Sequence, residues 1–229
     1  MFVDFDGTIS LDDTTDRILE TFADPSWRTI EADWVAGRIG SRECLARQVD
    51  LVRASPAALD AFARDASIDP HFFAFAALCA SYGFPVTVVS DGLDRIAGTM
   101  LRRAGLDLPL FANHLEWLGG RRWRLGFPHA RGDCRAAAGN CKCARLAAEP
   151  LGWRIHIGDG RSDFCAASSA DLVIAKGALA EHCERSGIAH EPFATFADVA
   201  IVLARWTAAL RGRTAPQSVD EAVHASTSA

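Results

Sequence analysis

Four short apolar or β-branched segments alternate with helical segments along this chain, and this alternation restricts the fold most strongly. The predicted strands are residues 2–5, 86–89, 154–157 and 172–175. Strands that alternate with helices predict a mainly parallel sheet with helices on both faces. Such a sheet binds its ligands at the carboxyl ends of its strands. We therefore predict an α/β fold with the functional site at that edge.

Two further patterns define the organisation of the chain. Residues 111–118 and 122–127 flank Gly119 and Gly120 and predict a β-hairpin. The region after the first strand has no strand-like run, and its apolar residues recur at helical spacing. The last residues are rich in Ser, Thr, Ala and Pro, which predicts a flexible tail. The expected domains are a core of residues 1–12 and 76–205, a helical cap of residues 13–75 and a tail of residues 206–229.

Composition excludes several classes of protein. The net charge is −5 and no basic stripe is present, which argues against a nucleic-acid partner. No apolar run approaches the roughly 20 residues of a membrane span, and the N-terminus does not resemble a signal peptide. The seven cysteines are odd in number and dispersed, which favours reduced thiols and a cytoplasmic location. No feature of the sequence predicts an oligomeric state.

Carboxylates follow two of the predicted strands. Asp4 and Asp6 end the first strand, and Asp159 and Asp163 follow the strand at 154–157. Four acids crowded at one edge of a sheet repel each other unless a cation lies among them. Mg²⁺ prefers a few carboxylates together with water and a phosphate oxygen. The sequence therefore predicts a Mg²⁺ site at this edge.

A second group of residues is suited to a phosphate. Ser90 and the backbone N–H groups of Asp91 and Gly92 lie at a predicted strand-to-helix turn, which is a favourable anion site. Gly92 allows close approach of the backbone. Lys142 adds a compact positive charge. The expected partner is a small-molecule phosphate ester.

Four segments, in chain order, resemble the motifs of the haloacid dehalogenase (HAD) superfamily. They are DFDGT at 4–8, Ser90, Lys142 and GDGRSD at 158–163. The resemblance implies a Rossmann-like core with a parallel sheet and a small helical cap inserted after the first motif. It also implies a Mg²⁺-dependent phosphatase that works through an aspartyl-phosphate.

The helical insert and the segment FANHLEW are similar to the phosphoserine-phosphatase-like branch of this superfamily. A closer similarity is to the methionine-salvage phosphatases, in the segments FADPSW, FPH, GNCK and AKGALAEHC. The resemblance implies an enol phosphate substrate. Phosphoserine, phosphocholine and phosphoethanolamine are alternative substrates. A non-catalytic binding protein, or a phosphoryl transferase with an acceptor other than water, remains an alternative, although both acids of the first motif are present.

The resemblance also implies roles for individual residues. Asp4 is the nucleophile, and Asp6 is the general acid and then the general base. The metal site comprises Asp4, the backbone carbonyl of Asp6, and Asp159, while Asp163 orients the metal site or Lys142. The residues expected to bind phosphate or substrate are Gly7, Thr8, Asp13, Ser90, Asp91, Gly92 and Lys142.

Some positions have two interpretations. Asp13 either contacts the substrate or caps the helix that follows it. Asp91 stands where the branch usually has glycine, and its carboxylate is unfavourable beside a phosphate unless it points away. Four residues could line the inner face of the cap or serve in packing: Trp27, Arg28, Trp34 and Arg47. Another set either binds zinc or contains ordinary reduced thiols: His129, Cys134, Cys141 and Cys143. His114 and His156 are expected to be structural.

Overall fold

The computed structural model describes residues 1–149 and 152–213 of the chain, and its centre is a seven-stranded sheet. The strands are β1 (Phe2–Val3), β2 (Thr87–Leu93), β3 (Leu110–Trp117), β4 (Trp123–Gly126), β5 (Ile155–Gly158), β6 (Leu172–Ala175) and β7 (Glu191–Pro192). Their order is β4-β3-β2-β1-β5-β6-β7, and only the β3–β4 pair is antiparallel. The predicted α/β fold with a mainly parallel sheet and the predicted hairpin are confirmed.

The first strand lies at the point where the sheet changes direction. Val3 of β1 is opposite Val88 of β2 on one side and opposite Ile157 of β5 on the other. The chain adds β2 and β3 on one side of β1, then β5, β6 and β7 on the other. A crevice opens at the carboxyl end of a strand in this position. This topology brings the chain that follows β1, β2 and β5 to one place.

Four helices occupy most of the insert between β1 and β2. They are α1 (Thr14–Phe22), α2 (Trp27–Val35), α3 (Ser41–Val49) and α4 (Pro56–Asp65). Local sequence signals explain two of their starts. Asp13 accepts a hydrogen bond from the Asp16 N–H at 2.9 Å, and Ser55 accepts one from the Ala58 N–H at 3.2 Å.

The next helix, α5 (Phe72–Ser81), belongs with the core. Phe72 and Phe75 are buried, and their rings lie 4.7 and 4.9 Å from that of Phe196. Complete burial of a phenylalanine stabilises a fold by about 1.5–3 kcal/mol. We therefore propose that the cap ends before Phe72, a few residues earlier than the boundary at residue 75.

Helices cover the sheet and close the core. Besides α5 they are α6 (Asp94–Arg103), α7 (Lys142–Ala147), α8 (Phe164–Ala167), α9 (Gly177–Ser186) and α10 (Phe196–Arg213). The main core cluster includes the fully buried residues Val3, Val88, Ile157 and Ile174 from the central strands. Within the described ranges, no helix is both long enough and apolar enough to cross a membrane.

The start of the expected tail is helical. Residues 206–213, at the start of that expected tail, continue α10. Trp206 packs this segment against the core, since its ring lies 6.2 Å from the ring of Phe84 and 5.1 Å from that of Trp153. The Ser, Thr, Ala and Pro composition of the expected tail did not indicate this contact. Residues 214–229, the rest of the expected tail, lie outside the described residues.

Candidate active site

The turn after β1 positions the first pair of carboxylates. Asp4 is extended, and its Oδ1 accepts a hydrogen bond from the Phe5 N–H at 2.8 Å. A tight turn over Phe5–Ile9 follows, in which Gly7 has φ of +68°. A Cβ at Gly7 would lie 2.5 Å from Oδ2 of Asp159. Glycine is therefore required here both by the backbone conformation and by the close approach of Asp159.

Three carboxylates meet at the carboxyl ends of β1 and β5. Oxygen atoms of Asp4, Asp159 and Asp163 lie within 4.8 Å of one another. Thr8 donates a hydrogen bond to Oδ1 of Asp159 at 2.5 Å. Oxygen donors at this spacing suit a hard divalent cation, so this site fits the Mg²⁺ that the resemblance implies.

Lys142 lies among these acids although it is buried. Its Nζ is 2.6 Å from Oδ1 of Asp4, 2.7 Å from Oδ1 of Asp163 and 2.9 Å from Oγ of Ser162. Burial alone would lower the pKa of Lys142, but the charges of Asp163 and Asp4 outweigh it and raise that pKa. The lysine is therefore a fixed positive charge beside Asp4.

Asp163 holds this lysine rather than standing free. Burial opposes its ionisation, but the charge of Lys142 and a hydrogen bond with His156 prevail and lower its pKa. His156 Nε2 lies 2.9 Å from Oδ1 of Asp163, and the Gly160 N–H lies 3.2 Å from Oδ2. His156 and Ser162 were not among the predicted site residues. Because His156 alternates with apolar neighbours in β5, the sequence indicated only a buried position.

The pKa values of Asp4 and Asp159 are shifted in the opposite direction to that of Asp163. Burial and then the negative charge of Asp163 raise the pKa of Asp4 well above its usual value of 3.8. Burial also raises the pKa of Asp159, although its hydrogen bond from Thr8 opposes the shift. A cation between these two groups would stabilise both carboxylates. The donor set and the raised pKa values therefore agree on where a metal would bind.

The Asp6 carboxylate points away from these three acids and towards the cap. Its Oδ1 accepts hydrogen bonds from Thr14, at 2.9 Å from the N–H and 2.5 Å from the hydroxyl. Its Oδ2 has one long contact, 3.5 Å from Oγ of Ser90. Burial and the charge of Asp13 raise the pKa of Asp6 to about 7. A metal contact from Asp6 would therefore come from its backbone carbonyl, which leaves the carboxyl for proton transfer.

The predicted turn at Ser90 has a different form. β2 runs on to Leu93, with a register shift between Val89 and Leu93, and α6 follows directly. The Gly92 N–H donates to Oγ of Ser90 at 2.9 Å. A Cβ at Gly92 would collide with Oδ2 of Asp6. The extended segment thus carries Ser90 and Gly92 up to the Asp6 carboxyl.

The carboxylate of Asp91 accepts hydrogen bonds from the cap and from two other segments of the core. It accepts hydrogen bonds from the hydroxyl of Ser41 at the start of α3, from the Asn140 N–H at 2.8 Å and from Nδ2 of Asn113 at 3.1 Å. Burial raises the pKa of Asp91, and these donors oppose the shift. The departure from glycine therefore creates a link between the cap, β2 and the loop before Lys142.

An open cleft lies between the cap and the strand ends. Of the four candidate residues on the cap, Trp34 lines this cleft, with the Arg161 guanidinium 5.5 Å from its ring. Trp27 is buried beneath Arg28, while Arg47 is exposed and pairs with Glu43. The lining also includes cap residues that the sequence did not single out, namely Thr15, Asp16, Glu31 and Gln48.

Both interpretations of Asp13 are compatible with its position. Its side chain caps α1, and it also lines the cleft.

The hydroxyl of Thr15 is buried beside Gly92 with no hydrogen-bond partner among the described residues. A buried hydroxyl without a partner costs about 1–3 kcal/mol, so a bound ligand is a natural partner for it.

Known proteins that are similar to this chain support the family that the four motifs indicate. Residues 1–168 match the haloacid dehalogenase-like hydrolase family. The chain is 34% identical over 212 residues to a 2-hydroxy-3-keto-5-methylthiopentenyl-1-phosphate phosphatase of Geobacillus kaustophilus (strain HTA426), a match that covers 90% of this chain and 95% of the relative. A phosphatase of the same name from Geobacillus thermodenitrificans (strain NG80-2) is 32% identical, with 87% and 92% covered.

A solved structure has the same fold. It is described as a phospho-aspartyl intermediate analogue of phosphoserine phosphatase, and it matches with a TM-score of 0.60 at 22% identity. The match covers 79% of this chain and 88% of that one. The motifs, the sheet order and the full-length relatives agree. The chain therefore belongs to the haloacid dehalogenase-like hydrolase family and is an enzyme of the phosphatase class.

Proposed function

We propose that this phosphatase hydrolyses a small phosphate ester through an aspartyl-phosphate on Asp4, with Mg²⁺ as cofactor. The observation that carries the proposal is the position of Asp4. It is buried at the switch point of the sheet, within 4.8 Å of Asp159 and Asp163, and it is paired with Lys142 at 2.6 Å. We also propose that the enzyme acts in the cytoplasm.

The two oxygens of Asp4 have different surroundings. The Phe5 N–H and Lys142 Nζ both contact Oδ1. Oδ2 is therefore the oxygen with lone pairs available to attack phosphorus. Lys142 and the hydroxyl of Ser90 would hold phosphoryl oxygens, and Gly7 and Gly92 leave room for the phosphoryl group. Mg²⁺ at Asp4 and Asp159 would supply further charge neutralisation for the phosphoryl group.

Proton transfer is assigned to Asp6. Thr14 holds Oδ1, so Oδ2 can donate a proton to the leaving oxygen and later accept one from the attacking water. A pKa of about 7 makes both protonation states accessible near neutral pH. Microscopic reversibility allows one carboxyl to serve in both half-reactions.

For the physiological substrate we propose the methionine-salvage enol phosphate, 2-hydroxy-3-keto-5-methylthiopentenyl-1-phosphate. Two full-length relatives are named for this substrate. The cap side of the cleft supports a leaving group without a carboxylate. It presents Asp13, Asp16 and Glu31, which would repel a carboxylate and attract an ammonium group, while Arg161 on the core side is a positive charge in the same cleft.

A comparison of kcat/KM values tests this substrate. The panel contains the enol phosphate, phosphoserine, phosphocholine and phosphoethanolamine, with nitrophenyl phosphate as a control for the chemical step. We expect the enol phosphate to be preferred over the other metabolites. A preference for phosphoserine would contradict the substrate assignment but not the mechanism. Failure to hydrolyse nitrophenyl phosphate would contradict the mechanism. Phosphoryl transfer to added alcohols would favour a transferase.

A further inference from the structure

The hydroxyl of Thr15 is a buried polar group to which the proposed chemistry gives no role. The Thr15 side chain lines the cleft, yet only 7% of the residue is exposed. Its Oγ1 is shielded from solvent and has no hydrogen-bond partner within the part of the chain that the structure describes. Buried polar side-chain atoms nearly always have a partner, so an exception beside an active site requires an explanation.

The position of Thr15 in its helix explains why the protein supplies no partner. A threonine further along a helix can bond back to the carbonyl four residues earlier, as Thr21 of α1 does to Arg17 at 2.7 Å. Thr15 is the second residue of α1, so no helical carbonyl precedes it by four residues. Its hydroxyl therefore remains available to a group that comes from outside α1.

An unfilled space over Gly92 brings this hydroxyl next to the reacting groups. The point that a Cβ on Gly92 would occupy lies 3.1 Å from Oγ1 of Thr15 and 3.1 Å from Oγ of Ser90. The same point collides with Oδ2 of Asp6. Three polar atoms thus surround one small space that glycine keeps open. Thr14 donates to Oδ1 of Asp6, so it ties the start of α1, and Thr15 with it, to this acid.

The roles of the neighbouring groups indicate which part of a substrate Thr15 would contact. In the proposed reaction, Ser90 holds a phosphoryl oxygen, and Oδ2 of Asp6 exchanges a proton with the leaving oxygen. Thr15 belongs to the cap rather than to the core strand that carries Ser90. A phosphate ester held in this way would direct its leaving group towards Thr15. The first polar atom that it could present beyond the leaving oxygen is one on the carbon next to the ester carbon.

We infer that Thr15 is a specificity-determining residue whose hydroxyl donates a hydrogen bond to an oxygen on the second carbon of the leaving group. A rotation of the Thr15 side chain about χ1 would turn its hydroxyl into the cleft that the residue already lines. The substrate class is therefore a phosphate ester with a hydroxyl or keto oxygen on the carbon next to the ester carbon. The inference rests on the proposed reaction, and the proposed 2-hydroxy enol phosphate belongs to this class.

Two esters that differ in one oxygen test the contact. 2-Hydroxyethyl phosphate and ethyl phosphate have leaving groups of equal carbon length, and only the first has an oxygen on its second carbon. Thr15→Val replaces the hydroxyl with a methyl group of similar size. It should lower the ratio of kcat/KM for 2-hydroxyethyl phosphate to that for ethyl phosphate by about two- to tenfold, the range that one neutral hydrogen bond supplies.

Two matched variants control for the substitution. Thr15→Ser keeps the hydroxyl and should retain the wild-type ratio. Thr21→Val, which alters an exposed threonine of the same helix, should retain it as well. Equal losses with both esters in Thr15→Val would overturn the inference, because the hydroxyl would then serve the phosphoryl group or the fold. A greater loss with phosphoethanolamine than with 2-hydroxyethyl phosphate would also overturn it, since the contact would then be to an ammonium group.

The ligand-free protein provides a second readout. Because the Thr15 hydroxyl has no partner there, Thr15→Val should not lower the melting temperature. A melting temperature below that of Thr21→Val would mean that the protein itself satisfies the hydroxyl and would overturn the inference. Nitrophenyl phosphate separates this inference from the proposed function. Its hydrolysis by wild type, together with an unchanged ratio in Thr15→Val, would contradict the role of Thr15 alone, whereas failure to hydrolyse it would contradict the proposed function.

Discussion

At the scale of single residues, Asp4 and Asp6 are two positions apart in the chain but have different environments. Asp4 contacts Lys142 and faces the carboxylates of the proposed metal site. Asp6 contacts Thr14 of the cap and has a pKa of about 7. These environments separate a nucleophile whose ionised form needs a cation beside it from a group that can exchange a proton near neutral pH. The tight turn between them, with its glycine at positive φ, produces the difference.

Substitution of Asp6 should slow the reaction without preventing formation of the phosphoenzyme. General acid–base catalysis contributes typically about 10² to 10⁴ in rate, so Asp6→Asn should lower kcat with an alkyl phosphate by that factor. The loss should be smaller with nitrophenyl phosphate, whose leaving group needs little protonation. Steady-state kinetics with both esters checks this, with Asp107→Asn, an exposed carboxylate, as the control. Equal losses with the two esters would argue against the role of Asp6 as acid.

The link through Asp91 should be visible in stability. Ser41→Ala leaves a buried carboxylate oxygen without one of its donors, which costs about 1–3 kcal/mol. Urea denaturation should therefore show a lower free energy of unfolding for Ser41→Ala. Ser81→Ala is the control, because Ser81 is exposed and its hydroxyl contacts only the Leu78 carbonyl of its own helix. Equal stability of the two variants would mean that Asp91 does not depend on Ser41.

At the scale of elements, the turn after β1 admits a matched comparison of two glycines. Gly7 and Gly37 have φ of +68° and +72°, so alanine at either position costs about 1–2 kcal/mol of backbone strain. Only at Gly7 does the new Cβ meet another residue, Asp159. Gly7→Ala should therefore raise the Mg²⁺ concentration required for activity, whereas Gly37→Ala should not. Mg²⁺ titrations of activity measure this, and the same requirement in both variants would contradict the proposed contact.

The sequence predicted the elements that carry the chemistry better than their exact limits. Strand ends at Asp4 and Asp159 followed from short apolar runs that stop at acids and glycines, and the sheet order then brought those ends together. The predicted turn at Ser90 was wrong, because Leu93 pairs with Asn113 and β2 therefore continues beyond Ser90. Contacts such as Ser41 with Asp91 join positions 50 residues apart, and no local pattern in the chain encodes them.

At the scale of the whole molecule, the carboxylate cluster links folding to metal and to pH. Burial raises the pKa values of Asp4 and Asp159, so the metal-free folded protein retains protons that the unfolded chain releases. At these two sites, stability is therefore lost as pH rises from the unfolded pKa through the folded pKa. A cation competes with those protons and offsets that loss.

Mg²⁺ should consequently raise the melting temperature, and by more at higher pH. The increase should grow from about pH 5 to about pH 7, because fewer protons then compete for Asp4 and Asp159. Differential scanning fluorimetry with and without Mg²⁺ at each pH measures the effect. Asp159→Asn should reduce the increase at every pH. An increase that is independent of pH, or that survives in Asp159→Asn, would contradict this linkage.

The central claim is that Asp4 becomes phosphorylated, and one measurement tests it most directly. Wild type, Asp6→Asn and Asp4→Asn are each incubated with an ester labelled in its phosphate group, quenched in acid and examined for label on the protein. Label should be present on the wild type. It should persist longer on Asp6→Asn, because water is no longer activated for the second step. It should be absent from Asp4→Asn, since an amide cannot replace the carboxylate nucleophile. Label on Asp4→Asn at the wild-type level would show that Asp4 is not the nucleophile.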